Sequence, residues 1–279
     1  MPDALRSPRR STSQQLSLPG AEPAQRELDL YGARAGHPPG YVVEGSSPHL
    51  ARTLMVQELE RLLTHVPSAT ASLEDYREAV LTENCLHKGS ASNRKTTFSN
   101  LARLYTLDAR NPSFEAMRFY WQAESEGRPL VALLMAYLRD PALRVTAPYI
   151  QSLQQFESAH YQDMRSELEE AYGERFSTSS YKALAQHIAS SWAQTGHLEG
   201  KLHKQRARAL ATPVSLAYAV ELAALAGTPP EERLVTPYIK LLDVTSDRAL
   251  SLAEDAGHRG WLRVNRLGRV AAVYPVART

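Results

Sequence analysis

Residues 111–139 read NPSFEAMRFYWQAESEGRPLVALLMAYLR, and this stretch predicts two consecutive helices. Asn111 caps a helix well and Pro112 suits a first helical turn, so we expect a helix to begin there. Gly127 and the proline at 129 interrupt it, and the apolar run 129–138 forms a second helix. That run is about half as long as the roughly 20 residues that a membrane-spanning helix needs. It therefore predicts a buried helix of a globular protein that does not enter the membrane.

The same start signals recur along the rest of the chain. Ser72 followed by Asp75 indicates a capping box, and Asp140-Pro141 and Thr212-Pro213 repeat the pairing of a cap with a proline. Thr97 is predicted to cap a further helix. After residue 260 the pattern changes, because WLRVN and RVAAVYP resemble two strands around a tight turn. The sequence thus predicts an all-α fold: a multi-helix bundle with winged-helix-like segments and a small C-terminal β-hairpin.

The composition indicates a globular protein and excludes some classes. Of the 279 residues, 43% are hydrophobic and 22% are charged, with a formal net charge of +2. A basic surface must therefore come from uneven distribution of charge. The single cysteine, Cys85, excludes an internal disulfide and a cysteine-based zinc cluster, and it fits a reducing cytoplasm. The N-terminus contains arginines with no apolar segment behind them, so no secretory signal is expected.

Composition also suggests where the chain divides. Residues 1–47 are rich in proline, glycine, serine, alanine and arginine, and this predicts a disordered N-terminal tail. Helical periodicity begins after it. We expect an N-terminal helical domain at 48–175 and a C-terminal helical domain at 176–279 that carries basic, wing-like segments.

The first candidate site is a helix followed by a basic segment. Apolar side chains recur on one face of a helix predicted at about 180–194, and polar side chains on the opposite face are able to donate to phosphates or base edges. These polar residues are Lys182, Gln186, His187 and Ser190. The segment GKLHKQRARAL at 200–210 then supplies Lys201, His203, Lys204, Arg206 and Arg208.

A helix followed by a cationic projection is the arrangement of a winged helix, in which the helix enters a DNA groove and the wing contacts the backbone. Glu199 is the only acidic residue close to this cationic cluster. The alternative interpretation is an ordinary solvated basic loop beside an amphipathic helix.

The second candidate site is the C-terminal hairpin. The chain has no acidic residue after Asp255, and the hairpin contributes the candidate nucleic-acid contacts Arg263, Arg266 and Arg269. Val264, Val270 and Tyr274 are predicted to form its packed side. Alternatively, the hairpin only covers the core and its arginines serve solubility.

The sequence does not predict catalysis. It contains no phosphate-binding glycine loop, no histidine pair at metalloprotease spacing and no nucleophile elbow, so no catalytic residue, metal or cofactor is expected. His197 and His203 would need a third ligand to hold a metal. Glu199-Gly200-Lys201 matches half of a metal-dependent nuclease pattern, whose other half is an earlier acid on a neighbouring strand.

Several aromatic side chains are further candidates for nucleic-acid contacts, since aromatic rings stack on bases. Their helical spacing favours a place in the core. The residues concerned are Tyr105, Tyr120, Trp121, Tyr137 and Trp192.

Several stretches resemble the BrxA family of BREX bacteriophage-defence systems. They are ENCLHKGSASNRKTTFSNLARLYTLD (83–108), FEAMRFYW (114–121), RPLVALLMAYLRDPALR (128–144), SSWAQTGHLEGKLHKQR (190–206) and TPVSLAYAVELAALAG (212–227). The resemblance runs from about residue 48 to the C-terminus, and its most specific pieces are Arg139-Asp140-Pro141 and SWAQTGHL at 191–198. The tail 1–47 departs from the usual start of the family.

The resemblance implies a small, helical, non-enzymatic DNA-binding component of the cytoplasm. Its partners would be a large ATPase, a DNA methyltransferase and a phosphatase-like protein. A helical bundle related to RNA antitermination factors is also implied. The resemblance carries over no contact residues.

These observations lead to an expected function and two alternatives. The expected function is binding of double-stranded DNA, dominated by phosphate contacts and therefore sensitive to salt. The first alternative is a structural adaptor that holds other defence proteins together, with the acidic helix at 161–172 and the apolar helices as docking faces. The second alternative is a nuclease.

Overall fold

Helices dominate the part of the chain that this computed structural model describes, residues 36–45, 47–268 and 270–278. In chain order they are α1 (Val56–His65), α2 (Leu73–Leu81), α3 (Ala91–Tyr105), α4 (Pro112–Ala123), α5 (Arg128–Arg139), α6 (Pro141–Ser152), α7 (Tyr161–Tyr172), α8 (Thr178–Gln194), α9 (Pro213–Leu225), α10 (Pro237–Lys240) and α11 (Ser246–His258). The strands are β1 (Ser158–Ala159), β2 (Leu198–Glu199), β3 (Lys204–Arg206), β4 (Leu262–Leu267) and β5 (Val270–Pro275). The predicted helical bundle with an antiparallel C-terminal hairpin is confirmed.

Side-chain caps account for most of the helix starts. The capping box at Ser72 is confirmed, since Asp75 Oδ2 accepts from the Ser72 amide at 2.7 Å. Asn111 Oδ1 accepts from the Phe114 amide at 3.0 Å, and Asp140 Oδ1 accepts from the Ala142 amide at 2.8 Å. Each cap satisfies an amide that has no partner inside its helix.

The start predicted at Thr97 is wrong. The helix α3 begins at Ala91, and Ser90 Oγ accepts from the Asn93 amide at 3.1 Å. Residues 91–96 read ASNRKT and face largely outward, so hydrophobic periodicity marks only the buried part of the helix.

The core is centred on α5 and α9, the two most apolar helices. In α5 every residue from Leu130 to Ala136 is buried, and in α9 every residue from Val214 to Ala223 is buried. The helix α9 packs against α4, α5 and α11. Buried side chains of 48–175 and 176–279 belong to one continuous core, and the division into two domains stays a prediction.

The large aromatic residues belong to this core, as their spacing predicts. Trp121, Trp192, Tyr105 and Tyr120 are buried, and Tyr137 is partly buried against the core. The four buried rings are therefore unavailable as base-stacking platforms. No helix of the described residues combines the length and apolarity needed to cross a bilayer.

The prediction of a disordered tail up to residue 47 is wrong for its last part. Pro38, Pro39 and Gly40 are buried against the bundle. Ser113 Oγ donates to the Pro39 carbonyl at 2.8 Å, and Arg139 Nη1 donates to the Gly40 carbonyl at 2.9 Å. The segment is held by hydrogen bonds to its backbone carbonyls. Such bonds do not depend on apolar side chains at regular spacing, so the sequence shows no hydrophobic periodicity here. Residues 1–35 and 46 of the predicted tail lie outside the described residues.

Candidate nucleic-acid interface

Six consecutive elements, α6, β1, α7, α8, β2 and β3, form a unit with a small antiparallel sheet. Its strand order is β1-β3-β2. Ala159 pairs with Lys204, and Leu198 pairs with Arg206. This sequence of helix, strand, two helices and a two-stranded projection is that of a winged helix, with α8 in the position of the recognition helix. The strand β1 was not predicted from the sequence, because two residues are too few to show an alternating pattern.

The helix α8 is held by its apolar face and presents polar residues on the other. Ser177 Oγ caps it by accepting from the Ser180 amide at 3.2 Å. The predicted apolar face is buried, from Tyr181 to Trp192. Among the predicted contact residues, Lys182 and Gln186 are exposed. Both lie in the N-terminal half of α8, the part of a recognition helix that contacts base edges.

Two predicted contact residues of α8 already have partners inside the protein. His187 is half-buried, and its Nδ1 donates to the His49 carbonyl at 2.7 Å. Ser190 is also half-buried, and its Oγ donates to the Gln186 carbonyl at 2.9 Å. The C-terminal half of α8 therefore packs on the chain near residue 50, and its N-terminal half is the accessible part.

The wing is the turn at 200–203 between β2 and β3. Gly200 has a φ of +94°, and a Cβ at that position would overlap the His203 carbonyl. Lys204 Nζ donates to the Gly200 carbonyl at 3.3 Å, which braces the turn from the side. Lys201 and His203 are exposed at its tip, and Lys204 is half-buried at its base. Glycine is needed here both for the positive φ and for the close approach.

Replacing Gly200 with alanine is expected to distort the wing and leave the bundle intact. Alanine is strained at a φ of +94°, and its methyl group meets backbone instead of a mobile side chain. We expect a loss of stability of about 1–2 kcal/mol together with weaker DNA binding. Urea unfolding and fluorescence anisotropy measure the two effects. Gly227→Ala is the matched control, because its φ is +80° but no atom lies within 4 Å of its Cβ position. Equal DNA affinity of the two variants would contradict a role for the wing shape.

Arg206, one of the predicted DNA contacts, has its partners inside the protein. Its side chain is buried, and Nη2 donates to Asp243 Oδ1 at 2.7 Å while Nη1 donates to the His197 carbonyl at 3.2 Å. Asp243 lies 37 positions further along the chain, so no local pattern announces this pairing. Arg206 therefore attaches the base of the wing to the connection between α10 and α11.

The remaining cations of the unit keep an accessible charge. Arg208 follows β3 and is exposed, like Lys182 and Lys201. No ion pair joins these three or Lys204 to another of the described residues. Glu199, at the start of the wing, is the one acidic residue between positions 177 and 211. The result is a locally positive face in a chain whose overall charge is almost balanced.

A groove of about 550 Å³ separates α8 from the wing. Gln186, Ala189 and Ser190 form its helix side, and the wing side runs from Lys201 to Lys204. Residues 158–162, from β1 into α7, form the floor. Both sides carry hydrogen-bond donors, so the groove suits an anionic chain such as a phosphodiester backbone.

At the second candidate site, Arg266 forms an ion pair and Arg263 contacts an aromatic ring within the protein. Arg266 Nη1 pairs with Glu254 at 2.9 Å, and the Arg263 guanidinium lies over the Tyr274 ring at 4.9 Å. Nearby, Arg259 pairs with Glu124 at 2.7 Å. Arg269 lies outside the described residues. The hairpin β4–β5 is a sheet of two strands, without the third strand that braces the first wing.

The packed side of this hairpin differs from the predicted one. Val273 is buried and Val264 is half-buried opposite it, whereas Val270 is 55% exposed. Tyr274 is half-buried beneath arginine side chains. Val270 begins β5 next to the turn, where it lies beyond the helices that cover the rest of the strand.

Changing Arg263 and Arg266 together to glutamine is therefore expected to leave DNA affinity within about twofold of the wild type. A phosphate contact would have to displace the ion pair of Arg266 with Glu254 and the contact of Arg263 with Tyr274. Val273→Ala is expected instead to destabilise the protein by about 1–2 kcal/mol, since it removes fully buried methyl groups. Anisotropy titration and urea unfolding measure the two effects. A tenfold loss of affinity in the arginine variant would restore the second site.

A chain of buried polar groups positions α8, and it was not predicted from the sequence. His49 Nδ1 lies 2.5 Å from Asp140 Oδ2, and His49 Nε2 lies 2.8 Å from Ser191 Oγ. Ser47 Oγ donates to the same Asp140 oxygen at 2.6 Å. The cap predicted at Asp140 is thus one role of a carboxylate that also joins residues 47–49 to α8.

The order Asp140, His49, Ser191 is that of a nucleophilic triad, but its surroundings are those of a structural element. All three side chains have 0% exposure. Ser191 Oγ donates to the His187 carbonyl at 3.0 Å and accepts from the Leu54 amide at 2.9 Å. The serine proton therefore points to a backbone carbonyl and not to the histidine that would have to remove it.

The metal and nuclease alternatives find no support in the geometry. His197 is buried, its Nε2 donates to the Leu241 carbonyl at 2.9 Å, and burial lowers its pKa to about 4. No group of three metal-ligating side chains occurs among the described residues. Glu199 lies on β2, whose partner strand Lys204–Arg206 carries no acid. The second half of the nuclease pattern is therefore missing from the neighbouring strand.

The stretches that resemble the BrxA family cover part of the candidate interface. The BrxA-like stretches at 128–144 and 190–206 include the cap at Asp140 and the whole wing. Membership of that family stays a prediction. The chain matches no family model, and no curated protein matches it.

Proposed function

We propose that this protein binds double-stranded DNA through α8 and the wing at 200–203. The observation that carries the proposal is the winged-helix strand order, combined with unpaired cations on those two elements. A basic face on a recognition helix and its wing is the electrostatic footprint of a DNA-binding unit.

Each part of the interface has a role in this proposal. The N-terminal half of α8 enters the major groove, where Gln186 suits the paired acceptor and donor of adenine and Lys182 suits guanine or a phosphate. Lys201, Lys204 and Arg208 contact backbone phosphates. Because Arg206 and the hydrogen bonds of His187 fix the wing and the helix in place, little ordering is needed on binding.

The sequence resemblance suggests the biological system in which this DNA binding takes part. We propose that the protein is a non-enzymatic, cytoplasmic component of a BREX-type phage-defence system, acting beside a large ATPase, a DNA methyltransferase and a phosphatase-like protein. The adaptor alternative loses part of its predicted surface, because the apolar helices α5 and α9 are buried in the core. Its other surface, the acidic helix α7, is exposed at Asp163, Glu167 and Glu170.

Fluorescence anisotropy with a labelled duplex of mixed sequence tests the proposal. With Lys182 contacting a phosphate beside Lys201, Lys204 and Arg208, four contacts predict a slope of about −3.6 in a plot of log K against log salt concentration, at about −0.9 for each phosphate contact. Absence of binding at low salt, or a slope near zero, would overturn it. Incubation with plasmid and magnesium is the companion test, in which intact plasmid is expected and cut plasmid would support the nuclease alternative.

A further inference from the structure

The wing tip carries an apolar side chain where solubility favours a polar one. Leu202 is 90% exposed, the most exposed of the large hydrophobic side chains among the described residues. It lies between Lys201 and His203 in a turn that begins at the positive-φ residue Gly200, whose carbonyl accepts from Lys204 Nζ at 3.3 Å. A single exposed leucine is common on protein surfaces. This one lies at the tip of a cationic projection, so any partner that covers it also meets the neighbouring positive charges.

The charges around Leu202 decide which partner fits. Lys201 and His203 flank it, and Lys204 and Arg208 follow within the same segment. An apolar protein surface offers nothing to these groups, whereas the DNA minor groove is bordered by two phosphate backbones and exposes apolar base faces when a base step is opened. This inference rests on the proposed function, since it concerns the same interface.

We infer that Leu202 is a minor-groove wedge that inserts between two base pairs of the bound duplex. Lys201 and His203 contact the phosphates on either side of the insertion. The inserted side chain opens one base step and bends the duplex away from the wing. Flexible pyrimidine–purine steps such as TA open at the lowest cost, so the wedge gives a binding preference without hydrogen bonds to base edges.

A duplex with 2-aminopurine at a central TA step tests the wedge, because the fluorescence of this base rises when it is unstacked. Wild-type protein is expected to raise the fluorescence on saturation. Leu202→Ala is expected to abolish the rise and to weaken binding on the order of tenfold, as for the lost burial of one leucine side chain. The matched control is Leu210→Ala, which removes another exposed leucine (62% exposed) beyond the wing and is expected to behave as the wild type.

The outcomes separate the wedge from the proposed function. Saturable binding of wild-type protein with no change in fluorescence overturns the wedge and leaves DNA binding standing. An equal rise with the Leu202→Ala variant also overturns it, because the base is then unstacked without the leucine side chain. Absence of binding by the wild type overturns both.

Discussion

Replacing Lys201, Lys204 and Arg208 together with alanine is expected to reduce the affinity for duplex DNA on the order of 100-fold at 0.1 M salt. Each lost phosphate contact removes about 0.9 from the salt slope, so the slope should fall from about −3.6 to about −0.9. Lys201 and Arg208 are exposed and Lys204 is half-buried, and none of the three forms an ion pair with other described residues, so their removal leaves no buried charge behind. The fold should therefore survive, and anisotropy titration at several salt concentrations measures the loss.

The matched control for this variant is the change of Arg263 and Arg266 to glutamine. Both variants remove cations in or beside a hairpin, but only the first removes cations that have neither an ion-pair nor an aromatic partner among the described residues. Melting curves of both proteins verify folding. Wild-type affinity and slope in the triple variant would show that the wing does not contact DNA.

Replacing Asp140 with alanine is expected to reduce the free energy of unfolding by about 4 kcal/mol. The change leaves Ser47, His49 and the Ala142 amide buried without their acceptor, and it removes the cap of α6. Urea unfolding measures the loss. Asp140→Asn is expected to cost less, because an amide oxygen still caps α6. Asp255→Ala, at an exposed position of α11, is the control and is expected to lie within about 0.5 kcal/mol of the wild type.

The same carboxylate predicts a dependence on pH. Burial raises the pKa of Asp140, but the adjacent His49, Ser47 and the Ala142 amide outweigh burial and hold the pKa below its ordinary value of 3.8. A lowered pKa contributes stability that is present above 3.8 and is lost as the pH falls through the folded-state value. Wild-type protein should therefore lose this share of its stability below 3.8, and the Asp140→Asn variant should lack that loss. Parallel acid unfolding of the two proteins would contradict the assigned role of Asp140.

Features with local causes could be predicted from the sequence. The caps at Ser72, Asn111 and Asp140 follow from side chains that bond to amides two or three residues away. The buried face of α8 follows from helical spacing, and the strands β4 and β5 follow from alternation. In each case the residues that decide the structure lie within one turn or one strand of each other.

Features that depend on distant partners escaped prediction. Asp140 and Ser191 lie 91 and 142 positions from His49, and the strand β1 is specified only by its pairing with β3. Arg206 has the sequence environment of a DNA contact, and only the position of Asp243 shows that it is structural. For the candidate site, the sequence therefore located the wing but did not show that Arg206, unlike the neighbouring cations, is buried in an ion pair.

Hydrogen exchange with and without a 25-bp duplex locates the DNA-contact surface without altering the protein. Peptides that cover the N-terminal half of α8 and residues 200–208 should become protected in the presence of DNA. Peptides that cover β4 and β5 should exchange at unchanged rates. Protection confined to β4 and β5, or absent from α8 and the wing under saturating DNA, would contradict DNA binding through α8 and the wing.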